Sequence, residues 1–194
     1  MIARDQSNKV VVLDRDGTLV IDREYLSDPA GLEFMPGAAE GLRQFHDLGY
    51  RLVVATNQSG IGRGFFSEDQ LHAVHERLDA MVRAAGAQLA GIYYCPHAPD
   101  AGCSCRKPET GLLLRAAREL GFEPSAAIVI GDKPSDVEFG QRAGATTILL
   151  AAERKPTLRA TPRGSARTAD PDFIVRDFLQ AAQTIQQQER RSNE

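Results

Sequence analysis

The residues best suited to chemistry are a pair of carboxylates. Asp14 and Asp16 directly follow Val10-Val11-Val12-Leu13, an apolar run that reads as a buried strand of a parallel sheet. Alternation along extended backbone sends the two acids to opposite faces. Both serve one site only where the chain bends, and Gly17 permits that bend. Taken alone, D-x-D-G-T is also compatible with a solvated acidic turn. In open α/β sheets, however, ligands bind beyond the carboxyl ends of the strands, which is where this pair falls. A second group is Cys95, His97, Cys103 and Cys105, spaced C-x-H-x5-C-x-C. Three sulfurs and one imidazole match the donor set of a closed tetrahedral Zn²⁺ site. Four protein ligands leave no open position, so a zinc ion there is structural, and it pins the loop that carries Arg106 and Lys107.

The elements needed to position these groups alternate between strand and helix. A first strand is expected near 9–13, followed by an irregular segment over 21–34 that crosses the mouth of the site. Pro36-Gly37 opens a helix to about residue 48, with Ala39, Leu42, Phe45 and Leu48 at helical spacing. A strand over 51–55 ends directly at Thr56. Ser67 with Gln70 forms a capping box for a helix carrying Leu71, Val74, Leu78 and Val82. His72 and His75 on that helix read as surface or boundary residues, as does His46. Strands follow at 90–94, 126–130 and 146–150, with helices at 110–120 and 134–143. A last edge strand is expected at 172–175 and a terminal helix at 176–188. This pattern predicts an α/β fold, a doubly wound parallel sheet with no large cap domain. The 194 residues form one domain, with a catalytic core over about 8–150. The Pro-, Ser/Thr- and charge-rich stretch 153–172 reads as a mobile solvated loop that could close over an anionic substrate.

Composition excludes several classes. A 42% hydrophobic, 25% charged chain is ordinary globular composition. The net charge of −3 gives no electrostatic reason to expect nucleic-acid binding. No apolar run approaches the ~20 residues of a membrane span, and no secretory signal is apparent, so a soluble, cytoplasmic protein is expected; a monomer is the default expectation, although nothing in the sequence fixes the oligomeric state. Only three cysteines, all close together, argue for metal ligation rather than a disulfide framework.

Four stretches in order, D-x-D-G-T (14–18), Thr56 in T-N-Q-S-G-I-G-R-G, Lys107 in C-R-K-P and Asp132 in G-D-K-P-S-D, resemble the four motifs of the haloacid dehalogenase superfamily of phosphohydrolases. The resemblance implies that Asp14 is the nucleophile and Asp16 the general acid and base. It also implies that Thr56 and Lys107 contact the transferring phosphoryl group. Mg²⁺ would be held by Asp14, the backbone carbonyl of Asp16 and Asp132, while Asp136 fixes the loop or an outer-shell water. The Cys/His loop before C-R-K-P is similar to that of the zinc-loop subfamily, which includes the heptose bisphosphate and histidinol phosphatases. By that pattern Asp22, Arg23, Glu24, Tyr25, Asn57, Gln58, Ser59, Arg106 and Lys133 contact substrate. The expected activity is Mg²⁺-dependent hydrolysis of a sugar phosphate, foremost the 7-phosphate of D-glycero-D-manno-heptose 1,7-bisphosphate. Histidinol phosphate, a nucleotide or polynucleotide 3′-phosphate, and a non-catalytic zinc-stabilised binding module are the alternatives.

Overall fold

A computed structural model describes residues 9–151, 157–158 and 170–191. Among the described residues seven strands form one sheet: β1 (Val10–Leu13), β2 (Arg51–Asn57), β3 (Leu89–Cys95), β4 (Ile128–Gly131), β5 (Thr146–Leu150), β6 (Thr157–Leu158) and β7 (Phe173–Val175). Their order is β3-β2-β1-β4-β5-β7-β6. All neighbours pair in parallel except β6 with β7. Residues 173–175 therefore lie one strand in from the edge that the sequence suggested, because β6 covers them. Apart from that two-residue strand, the stretch read as a mobile loop lies outside the described residues up to Asp170.

Among the described residues the helices are α1 (Ala38–Asp47), α2 (Ser59–Gly62), α3 (Glu68–Ala84), α4 (Gly111–Leu120), α5 (Pro134–Arg142) and α6 (Phe178–Arg191). The sheet is covered on both faces, which is why the β1 residues need no polar alternation. Val11, Leu13, Leu52 and Val54 pack with Leu42, Phe45, Leu78 and Phe178, from α1, α3 and α6. Val10, Val12, Val53 and Ala55 pack with Leu112, Leu113, Ala116 and Phe139, from α4 and α5. Burying a side chain of this size contributes about 1.5–3 kcal/mol.

Strand order fixes where a site can form. The chain runs outward from β1 to β2 and β3, then returns to the other side of β1 for β4. The crevice between β1 and β4 is thus the topological switch point, and Asp14 and Asp132 follow those two strands. No cap domain interrupts the described residues. The segment after Asp14 is held by isolated bridges Asp16–Val20 and Val20–Phe34 and a short 3₁₀ turn at Pro29–Gly31. No helix among the described residues is long and apolar enough to cross a membrane.

Candidate active site

Gly17 makes the bend that brings both acids to one place. Its φ is +83°, and a Cβ there would stand 2.5 Å from Asp132 Oδ2. Only glycine supplies both the left-handed backbone and the close approach. Asp14, Asp16, Thr56, Lys107 and Asp136 then line one cavity of about 360 Å³.

Lys107 is at its centre. Its ammonium lies 2.7 Å from Asp14 Oδ1 and 2.6 Å from Asp136 Oδ1, and donates to the Ala55 carbonyl at 2.8 Å. Burial alone would lower the Lys107 pKa. Asp14 and Asp136 outweigh that and raise it, so the side chain stays charged. Three buried charges are tolerable here because each carboxylate faces the same cation. The loop is held from β2 as well: Asn57 Oδ1 accepts from the Lys107 amide at 3.0 Å, and Asn57 Nδ2 donates to the Lys107 carbonyl at 3.2 Å. Asn57 lines the cavity, yet its amide group serves the main chain of Lys107.

Asp16 is held differently. Arg15 Nε lies 3.1 Å from both of its carboxylate oxygens. Gln58 Nε2 donates to Asp16 Oδ2 and to Thr56 Oγ1, both at 2.8 Å. Thr56 therefore stands beside the acids with its hydroxyl already oriented.

Asp132 has another environment. It accepts from Thr18 Oγ1 at 3.3 Å. Burial pushes its pKa up to about 6; Lys133 opposes the rise, while Asp14 and Asp136 add to it. Carboxylate oxygens of Asp14, Asp132 and Asp136 lie within 4.8 Å of one another. Such an acid cluster suits a hard divalent cation, which would reverse that shift. Asp136 is the least available of the three, since it pairs with Lys107 and accepts from the Lys133 amide at 3.1 Å.

The expected substrate contacts divide. Asp22, Glu24, Tyr25, Gln58, Ser59, Arg106 and Lys133 line the cavity with Asn57, and Lys133 Nζ bridges to Asp22 at 3.2 Å across the mouth. Arg106 Nη1 is buried without a hydrogen-bond partner. Arg23 is turned outward to Glu33 at 2.8 Å, because the loop reverses through left-handed Glu24 (φ 43°) and Tyr25 (φ 50°). Ser135 lines the cavity unanticipated. His46 and His72 are exposed as expected, but His75 is buried. It occupies the inward face four residues after Leu71 and three before Leu78, a periodicity that could have placed it. At Gly62 a Cβ would meet the Ala98 amide at 2.6 Å, so the loop after Thr56 packs directly on the backbone of the Cys/His loop.

The Cys/His group converges as its spacing predicts. Cys95 and Cys105 sulfurs are 3.1 Å apart, and each is 3.5 Å from Cys103. His97 Nδ1 lies 3.2 Å from Cys105 and 3.5 Å from Cys95. Disulfide sulfurs would be ~2 Å apart, whereas sulfurs around a tetrahedral zinc are roughly 3.7 Å apart. The four donors fit the second case. Burial opposes ionisation of Cys103, yet hydrogen bonds from Cys95, the Arg106 amide and Cys105 bring its pKa down to about 6. Burial pushes the Cys95 and Cys105 thiols the other way, so of the three only Cys103 is a ready thiolate without a metal.

A doubly wound sheet with acids at its switch point and a lysine bridging two of them is an arrangement suited to phosphoryl chemistry on a carboxylate. Comparison with known proteins agrees. Residues 104–181 match the HAD-hydrolase-like family. D-glycero-beta-D-manno-heptose-1,7-bisphosphate 7-phosphatase of Pasteurella multocida is 42% identical over 154 residues, 76% of this chain and 84% of that one. The Escherichia coli K12 enzyme of the same name is 34% identical over 192 residues, covering 95% and 97%. A crystal structure of D,D-heptose 1,7-bisphosphate phosphatase from B. bronchiseptica with magnesium and phosphate superimposes with a TM-score of 0.78 at 26% identity, covering 93% of this chain and 99% of that one. The chain belongs to the heptose bisphosphate phosphatase family of haloacid dehalogenase-like hydrolases.

Proposed function

We propose that the protein removes the 7-phosphate of D-glycero-D-manno-heptose 1,7-bisphosphate through an aspartyl-phosphate intermediate. The observation that carries this reading is the buried Lys107 ammonium, 2.7 Å from Asp14, beside Asp16 and Thr56 in one cavity. Asp14 attacks phosphorus in line, forming the acyl phosphate as the bond to the sugar oxygen breaks. Asp16 gives that oxygen a proton, then takes one from the water that cleaves the acyl phosphate. Lys107 and the Thr56 hydroxyl face the equatorial oxygens, where most catalysis of phosphoryl transfer lies.

Asp14, Asp132 and the backbone carbonyl of Asp16 would hold Mg²⁺, which when bound offsets repulsion between the Asp14 carboxylate and the phosphoryl oxygens. Zinc at Cys95, His97, Cys103 and Cys105 would be structural and keep Arg106 and Lys107 in register. Asp22, Glu24, Tyr25, Ser59 and Lys133 shape the mouth around a small polyol, and the unpartnered Arg106 Nη1 supplies a donor for an anionic oxygen. A competition assay with heptose 1,7-bisphosphate, histidinol phosphate and a nucleotide 3′-phosphate tests the assignment. The bisphosphate should exceed the others in kcat/KM by ~100-fold or more, with the 1-phosphate retained in the product. Equal or better turnover of either competitor would reject it.

A further inference from the structure

Arg15 is among the largest fully buried side chains, 1% exposed. A guanidinium cannot shed its charge in a protein, so burial demands an acceptor for each donor edge. Nε faces both oxygens of Asp16. Nη2 lies 3.0 Å from Gln58 Oε1 and 3.0 Å from Asp16 Oδ2. The remaining nitrogen, Nη1, is 3.3 Å from His75 Nε2. Arginine only donates, so this contact requires Nε2 to accept, and the imidazole is neutral with its proton on Nδ1. Burial, then the charge of Arg15, then His72 lower the His75 pKa to about 3, which keeps the ring in that form. The ring also packs against Tyr94, with centroids 5.6 Å apart.

We infer that His75, acting through Arg15, is a positioning residue for the carboxylate of Asp16. The chain of contacts runs from α3 to Arg15 to Asp16, although no residue of α3 lines the cavity. Without its acceptor, Nη1 would be a buried donor with nothing to satisfy it. The guanidinium would then turn toward another oxygen and carry Asp16 with it. A shift of this kind harms proton transfer to the leaving oxygen more than it harms attack by Asp14, which is held by Lys107 instead. The inference rests on the acid–base role proposed for Asp16.

Single-turnover kinetics with two leaving groups separates the possibilities. Release of the sugar from heptose 1,7-bisphosphate needs a proton, whereas dinitrophenolate leaves an aryl phosphate without one. His75→Met, which offers no comparable acceptor, should slow sugar release ~10-fold and dinitrophenolate release less than about 2-fold. His75→Gln, whose side-chain oxygen can accept from Arg15, should stay within about 3-fold of wild type on both. His75→Ala with and without added imidazole repeats the test at a different structural cost, and the selective loss should shrink when imidazole is present. Equal slowing of both substrates, no slowing of either, or no rescue by glutamine or imidazole overturns the role of His75. Asp16→Asn is the reference. If it shows the selective loss and His75→Met does not, only the inference falls. If Asp16→Asn shows none, the acid–base reading falls and the inference with it.

Discussion

Two charged clusters lie on either side of Lys107, and they are built in opposite ways. The acid cluster draws Asp14 from the end of β1, Thr56 from β2, and Asp132 and Asp136 from the turn and helix after β4. Its members are far apart in sequence and are brought together only when the whole sheet forms. The cysteine cluster takes all four donors from one loop over 95–105, anchored to the sheet by Cys95 at the end of β3. The first can form only through long-range packing; the second can form locally around a metal ion. They meet at Asn57 and Lys107, where β2 grips the loop by both main-chain atoms. The sheet thus fixes Asp14, Thr56 and Asp132, and the loop fixes how the Lys107 ammonium reaches Asp14.

The sharpest way to break this division is Asp14→Asn. It removes the proposed nucleophile and leaves the scaffold, so turnover should fall by ~1,000-fold or more while the Tm holds or rises, because one buried like charge is gone. A variant with near wild-type turnover would refute the covalent route. Cys103→Ser should act on the other side only. Zinc content should drop, activity should fall roughly 10- to 100-fold, and excess Mg²⁺ should not restore it. Brief chelation of the wild type should show the reverse pattern: loss of activity, full recovery with Mg²⁺ alone, and zinc retained at one per chain by metal analysis. Asn57→Ala cuts the joint itself. A fall of about 10-fold in kcat, with zinc content and Tm nearly unchanged, would place its effect on Lys107 rather than on either cluster.

The smallest effect concerns stability. His75 is neutral when folded, with its pKa near 3 against an ordinary 6.5. Unfolding between those values takes up a proton, so this contribution is complete above pH ~6.5 and lost as the pH falls toward 3, at ~1 kcal/mol per pH unit. Denaturant titrations from pH 4 to 8 should show a shallower acid slope for His75→Gln than for wild type.

Much of this was legible in the sequence because the chemistry sits at strand ends. The Val10–Leu13 run marks β1, and the sheet rule puts Asp14 at a strand end; Thr56 and Asp132 also end strands, but it was the motif resemblance that singled them out. The cysteine spacing named its own cluster. Other features were not legible, for physical reasons. The bonds of Asn57 to the Lys107 main chain join positions fifty residues apart with no local pattern. Arg15 sits between two acids, where a surface salt bridge would look the same; only the buried His75 distinguishes the cases. Arg23 was expected at the substrate from the family pattern over 22–25; with Glu24 and Tyr25 left-handed, its guanidinium pairs with Glu33, a partner that no local pattern announces. The pairing of 157–158 onto residues 173–175 carries too little hydrophobic pattern to be read at all.

In the proposed mechanism Asp14 carries the phosphoryl group. In Asp16→Asn, an activated aryl phosphate should still transfer its phosphoryl group, because the leaving phenolate needs no proton, while hydrolysis of the acyl phosphate should stall. Rapid acid quench and peptide mapping should then find nearly one phosphoryl group per chain on Asp14, formed at the rate of the phenolate burst. A burst of phenolate with Asp14 unmodified, or with label on another residue, would rule out Asp14 as the phosphoryl carrier.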